Sequence, residues 1–415
     1  MAQIYENAYF TIAAASSPSA SVSFLNTPRE HPCSIALHQG PKDREPKLLS
    51  PTLRARRSDG YCSCDSHGPL TTRAWACQEA ILSKRIVQYT STEAKWQCIE
   101  GCVCESSSDN LPGKLSIRSE STFNPYNTWH SIVADYSSRN LTLASDKLPA
   151  ISGVAYKIWQ LVSSDYLAGL WKNNLAADLE WWCVHVPLSY GLSSYSSSLG
   201  REIVTPSWSW ASICGKTVYR SIEPDNYTSY LVILGASCRL NSPTRFGEVD
   251  GGSLTLRASC CPALLRVEDP LERRTYQLVR PGNTSRFDPD LFFSPDCILS
   301  IRRHTVGALA GQGTLHRQVW DRNCSADDYV TLKDPRIPES AESFEGMVWC
   351  IFMSRAHHPR LYNPIRIPEY QVDSFMVVAE SLSTPGAFER LGRLTVLKNH
   401  RAFLKSGESM VMHIV

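Results

Sequence analysis

The chain has 415 residues, roughly two to three domains' worth, and its 42 basic against 40 acidic side chains leave a net charge of +2. Such a balance gathers neither nucleic acid nor an anionic membrane, so no nucleic-acid partner is expected. No apolar run is long enough to span a bilayer, and the N-terminus has no basic segment leading into an apolar core. No membrane span or signal peptide is therefore predicted, and the expected location is cytoplasmic. Fifteen cysteines, an odd number, then point to reduced thiols over a disulfide framework.

In chain order, residues 2 to 8 predict a helix with Ile4, Tyr5 and Ala8 on one face, followed by a short buried strand over Tyr9 to Ala13. Ser, Pro, Arg and Lys dominate from Ser16 to Gly68, which predicts a long irregular excursion. Thr71 or Thr72 is placed to cap a helix from Arg73 to Leu82, with Ala74, Cys77 and Ile81 facing inward. Arg85 to Tyr89 and Glu93 to Cys98 are candidate strands. A helical stretch runs from Trp129 to about Val186. Within it Ile151, Val154, Ala155, Ile158, Leu161 and Val162 form a stripe, and a second helix from Asn174 carries Leu175, Leu179 and Trp182. The serine-rich stretch Ser189 to Gly200 predicts a linker. Six β-rich runs follow, from Leu231 to Leu234, Ser253 to Arg257, Gly346 to Met353, Phe375 to Ala379, Arg393 to Leu397 and Met410 to Val415, as expected of an antiparallel sheet or sandwich.

Several familiar motifs are incomplete. Gly215-Lys216-Thr217 has the end of a phosphate-binding loop, but Trp210 stands where its first glycine belongs. Gly311-Gln312-Gly313 has His316 where a dinucleotide fingerprint needs glycine, and no serine elbow is present. Cys62, Cys64 and His67 with Cys98, Cys102 and Cys104 are enough soft ligands for a tetrahedral zinc site, but the spacing matches no standard knuckle, so buried thiols are expected and no metal is assigned. His357-His358 lies in a Pro- and Arg-rich stretch and is expected at the surface.

Three stretches share one pattern. Residues 4–14 read IYENAYFTIAA. Residues 70–79 read LTTRAWACQE, followed by Leu82-Ser83-Lys84-Arg85 and Trp96-Gln97-Cys98. Downstream come Ser145-Asp146-Lys147-Leu148-Pro149, Gly169-Leu170-Trp171 and Pro206-Ser207-Trp208-Ser209-Trp210. In order and spacing these resemble the fungal heterokaryon-incompatibility domain and the segment that follows it, over roughly the first half of the chain. The resemblance implies a role in non-self recognition and programmed cell death. It also implies a partial Toll/interleukin-receptor-like α/β domain, because the family's domain opens with a strand, helix and strand ahead of the IYxNA helix.

The expected fold class is accordingly α+β in several regions: a partial domain over 1–110, a helical connector over 111–198, and a β-rich C-terminal domain over 199–415. Within the first, Trp75 and Glu79 stand at i and i+4 and project from one side of the helix. That spacing is similar to the helix of Toll/interleukin-receptor NAD hydrolases, which makes Glu79 the candidate catalytic carboxylate. Arg73, Trp75, Gln78 and Arg85 are the candidate binding residues. Cleaving a nicotinamide–ribose bond passes through an oxocarbenium-like state, and a carboxylate beside the ribose stabilises it. The plain alternative pairs Glu79 with Arg73 or Arg85, or leaves it in water. NAD is thus a possible substrate and no cofactor is required. The functional expectation is an inactive or regulatory chain that binds protein partners or its own copies; the alternatives are an NAD glycohydrolase using Glu79 and a zinc-stabilised interaction module. Trp208 and Trp210 alternate with serines as in a strand, which predicts both indoles packed where the connector meets the β-rich half.

Overall fold

The computed structural model describes residues 2–25, 33–36, 52–55, 68–105, 107–111, 124–184, 205–213, 215–220, 226–268, 275–279, 291–296, 299–303, 313–317, 343–358, 370–381, 383–397 and 407–415. The chain divides into two compact units, Met1–Arg118 and Ser119–Val415, so the expected connector and β-rich region fall within one unit. Among the described residues no helix is long and apolar enough to cross a membrane.

The first unit holds a five-stranded sheet. Thr11–Ala13 at its edge runs parallel to Arg85–Tyr89, and Ala94–Cys98, Cys102–Cys104 and Ser107–Leu111 continue it in antiparallel fashion. Two short helices, Ala2–Asn7 and Ala74–Leu82, accompany it. The threonines expected to cap the second helix order the turn before it instead. Thr71 Oγ1 accepts from Gly68 N at 3.2 Å, and Thr72 Oγ1 donates to Pro69 O at 2.8 Å; Arg73 takes the N-cap position without a side-chain bond. Ala74, Cys77 and Leu82 are buried, whereas Ile81 is only half-buried. Ser83 closes the helix by donating to Glu79 O at 2.7 Å, and its hydroxyl lies 2.8 Å from that of Thr11. The segment from Tyr9 to Ala13, expected to be buried, leaves Tyr9, Phe10 and Ile12 exposed, and Ile4 of the first helix is exposed too. Within the excursion from Ser16 to Gly68, Cys33–Ala36 and Thr52–Ala55 form a hairpin.

In the second unit Asn124 caps the helix Pro125–Tyr136 by accepting from Tyr126 N at 2.9 Å, with proline in the first turn where its missing N–H costs nothing. Two 3₁₀ turns lead into the helix Ser152–Val162, which buries Val154, Ala155 and Ile158; Leu161 of the expected stripe is exposed. The helix expected from Asn174 is the short Leu175–Asp178, and Trp182 belongs to the strand Trp182–Cys183. Trp208 and Trp210 are fully buried as expected, but in a turn and the 3₁₀ segment Trp210–Ser212. The intervening Ser209 is buried as well, donating to Ala168 O and accepting from Ala211 N at 3.0 Å. A strand would have sent the serines to the opposite face.

All six β-rich runs lie in one nine-stranded sheet, in longer strands than the runs themselves. The 20-residue strand Val249–Glu268 pairs with Val232–Leu240 and Glu408–Ile414 through its first half and with Ser343–His358 through its second. Tyr370–Glu380 and Phe388–Leu397 extend the sheet beyond that strand, and Phe388 returns to pair with Ile414. His357, expected in a loop, sits exposed near the end of Ser343–His358. One sheet face packs a core of Leu265, Val348, Phe352, Phe375, Val377 and Leu394. Near the end of the sheet, Val377 pairs with Gly392 while Val378 pairs with Arg390, so Leu391 is an extra residue forming a β-bulge. Side chains alternate along a strand, and positions three apart normally face opposite ways. The bulge turns Arg390 and Arg393 to the same side.

Candidate functional site

Glu79 lies half-buried on the helix Ala74–Leu82, one turn after the half-buried Trp75. The first helix brings Tyr5 alongside. Burial first, then the charge of the nearby Glu79 carboxylate, raises the Tyr5 phenol above its ordinary value. Arg85 turns to Tyr9, with Nη1 donating to the Tyr9 carbonyl at 3.3 Å and the guanidinium 5.2 Å from the ring centroid. Arg73 is exposed, and Gln78 is buried beside Ala74 and Cys77. The structure thus joins Glu79 to Tyr5, keeps Trp75 on the same helical side, and takes Arg85 and Gln78 elsewhere. Neither arginine pairs with Glu79 among the described residues. The partner that sequence reasoning missed is Tyr5, whose signal was its place in the same predicted helix as Ile4.

Cys62, Cys64 and His67 lie outside the described residues. Cys102 and Cys104 are buried and Cys98 is half-buried. Among the described residues no group of three His, Cys, Asp or Glu side chains is arranged to hold a metal ion.

The second unit contains a buried polar junction that the sequence did not single out. The consecutive residues Asp178 to Trp182 make it. Asp178 takes hydrogen bonds from His130 Nε2 at 2.7 Å, Asn174 Nδ2 at 2.7 Å and Trp171 N. His130 stacks on Tyr219 with ring centroids 3.9 Å apart. Arg390, wholly buried, donates from Nε to Asp296 at 2.7 Å, from Nη1 to Leu179 O at 2.8 Å and from Nη2 to Trp181 O at 2.6 Å, while its guanidinium lies 3.7 Å from the Trp181 ring centroid. Arg393 donates to Glu180 at 2.9 Å and to Ser374 at 2.8 Å, and faces Trp182 at 4.6 Å. Burial lowers the Arg393 guanidinium from its ordinary value, and Glu180 works against that shift. Every donor of Arg390 that these bonds use is spent on the protein itself, so the junction fastens the helical segment to the sheet.

No family description, curated protein or solved structure matches this chain.

Proposed function

We propose that this chain is a non-catalytic, regulatory protein of the heterokaryon-incompatibility type, acting in the cytoplasm through protein contacts in non-self recognition and programmed cell death. The observation that supports the reading is the half-buried setting of Glu79 beside the Tyr5 phenol. A carboxylate that stabilises an oxocarbenium must direct its charge at a ribose. Here the carboxylate is half-buried beside a phenol of the neighbouring helix, near enough for its charge to raise that phenol. The three sequence stretches described above supply the family reading, and the helical placement of Trp75 and Glu79 supplies the competing one.

Nicotinamide release from NAD by the purified chain decides between them, beside Glu79→Gln, which keeps the shape and removes the charge, and Tyr5→Phe, which removes the hydroxyl beside the carboxylate. The expected result is no turnover by the chain or by Glu79→Gln. Turnover by the unaltered chain that disappears with Glu79→Gln would overturn the regulatory reading and establish the glycohydrolase. Release that appears only in Tyr5→Phe would identify the phenol as the element that silences a competent carboxylate.

A further inference from the structure

Among the described residues, the sheet of the first unit buries the side chains of one face and leaves apolar side chains of the other exposed. On the first face lie Ile86, Lys95, Cys102 and Cys104, all buried. The opposite face carries a cross-strand row, Ile12 paired with Val87, Val87 with Trp96, and Trp96 with Val103, one apolar residue from each of four adjacent strands. Ile12 is 55% exposed, Trp96 38% and Val103 43%. Phe10 and Tyr9, just ahead of the strand Thr11–Ala13, are exposed, and Tyr9 lies over Arg85 at the margin. Polar side chains normally occupy the wet face of an antiparallel sheet, so an apolar row across four strands calls for a covering.

We infer that this face is a homodimer interface, in which two copies of the chain pack sheet against sheet about a two-fold axis passing over Trp96. Size supports a second copy. With a large aromatic side chain exposing roughly 150 to 250 Å², the open parts of Tyr9, Phe10, Ile12, Trp96 and Val103 come to on the order of 500 Å² of apolar surface. With the polar margin added, the face approaches the roughly 800 Å² per partner of a stable dimer.

Charge supports it independently. Arg85 lies two residues before Val87, at one end of the face. Glu105 lies two residues after Val103, at the other end, and is exposed. Trp96 is midway between them, because the strands 85–89, 94–98 and 102–104 are successive neighbours. A two-fold axis over Trp96 therefore sets Arg85 of each copy against Glu105 of the other and brings the two indoles together. The strands of the two sheets then cross steeply, which is one of the two ways in which sheets pack face to face. A copy is complementary to itself here in both apolar pattern and charge.

The inference does not depend on the reading of Glu79, because it is tested by mass and not by turnover. Sedimentation equilibrium or light scattering of the full chain from about 1 to 100 μM covers the range of a modest dimer. A concentration-dependent dimer is expected. Arg85→Glu alone and Glu105→Arg alone should each weaken it about tenfold by setting like charges together. Mixing those two variants should restore dimers, because each contact then joins opposite charges again. Trp96→Glu should weaken the dimer about a hundredfold as a central anchor. All three positions are exposed or nearly so, and circular dichroism confirms that each variant is folded; a variant that is not folded is replaced by Val103→Lys. A chain monomeric at 100 μM overturns the inference and leaves the face to a different protein. A dimer that none of the charge reversals or Trp96→Glu weakens also overturns it.

Discussion

Arg390 gives the sharpest test of how the second unit holds together. Replacing it by methionine keeps most of the volume and removes a guanidinium that is wholly buried and bonded to Asp296, Leu179 O and Trp181 O. Asp296 is itself buried, so the variant leaves a carboxylate in a dry site without its cation, which costs about 3 to 5 kcal/mol. Two carbonyls lose charged donors, each worth about 1 to 3 kcal/mol, though losses within one network overlap. A total of about 4 to 6 kcal/mol follows, a large share of the roughly 5 to 15 kcal/mol that keeps a domain folded. The assay is guanidinium unfolding followed by tryptophan fluorescence, which the second unit dominates through the buried Trp129, Trp171, Trp181, Trp208 and Trp210. With a slope of about 5 kcal/mol per molar for a unit of this size, the midpoint should fall by about 1 M. Adding Asp296→Asn to Arg390→Met should recover about 2 kcal/mol relative to additivity, because the stranded charge is gone. A loss under about 1.5 kcal/mol for the single variant, or strict additivity in the double, would refute the assignment of the junction as a charge-bearing fastener.

Two further outcomes can be measured on the same unit. Gly169→Ala should cost at least about 2 kcal/mol, because its φ is +100° and a Cβ there would lie 2.6 Å from Trp210 Nε1, while the Gly169 carbonyl accepts from both Trp129 and Trp210; a thermal midpoint within 1 °C or so of the parent would contradict this. Burial pushes the thiols of Cys238 and Cys260 up to about 12, from 9.0, and raises that of Cys350 well above its ordinary value. The unfolded chain would release these protons near 9 and the folded chain would hold them, so their stabilisation is complete below pH 9 and is lost as pH rises towards 12. Iodoacetamide at pH 8 with peptide mapping should leave all three unmodified until denaturant is added, and rapid native labelling of Cys350 would show that the strand pairing around it is open.

Short-range chemistry was the most legible part of the chain. An amphipathic stripe and runs of β-branched residues act within one or two turns, and the helix 152–162 and the six β-rich runs were found accordingly, whereas the start of the helix 125–136 at Asn124-Pro125 was passed over and its helical stretch was begun at Trp129. Lengths were not legible, because a strand such as Val249–Glu268 is sustained by partners 75 to 91 residues away at Ser343–His358 and more than 140 away at Glu408–Ile414. The Ser-Trp-Ser-Trp alternation at 207–210 imitated a strand, but Ser209 uses its hydroxyl to satisfy backbone groups and closes a turn. At the candidate site the spacing placed Trp75 and Glu79 on one helical side correctly, since that follows from helical geometry. The approach of Tyr5 to Glu79 brings together residues 74 positions apart and leaves no trace in a local pattern. Arg390 and Arg393 were hidden for a similar reason: two arginines in a β-rich run look like solvent-facing charges until their buried partners at Glu180 and Asp296 are known.

The extra residue at Leu391 makes the spacing of that strand unequal, and this has a consequence for how its length can change. Removing Leu391 would leave Arg390, Gly392 and Arg393 in plain alternation, with both guanidinium groups still on the side of Asp178 to Trp182. Removing Gly392 instead would have the same effect, because one residue again separates the two arginines, whereas removing both would make Arg390 and Arg393 adjacent, turn one of them towards Leu394 and Val396, and carry a charge into the apolar layer. Among related chains, length variation in this stretch of the strand should therefore be limited to one residue, lost at Leu391 or Gly392. A strand shorter by one of those residues would keep its ion pairs, whereas one shorter by both would leave a buried carboxylate, Glu180 or Asp296, without its counter-charge.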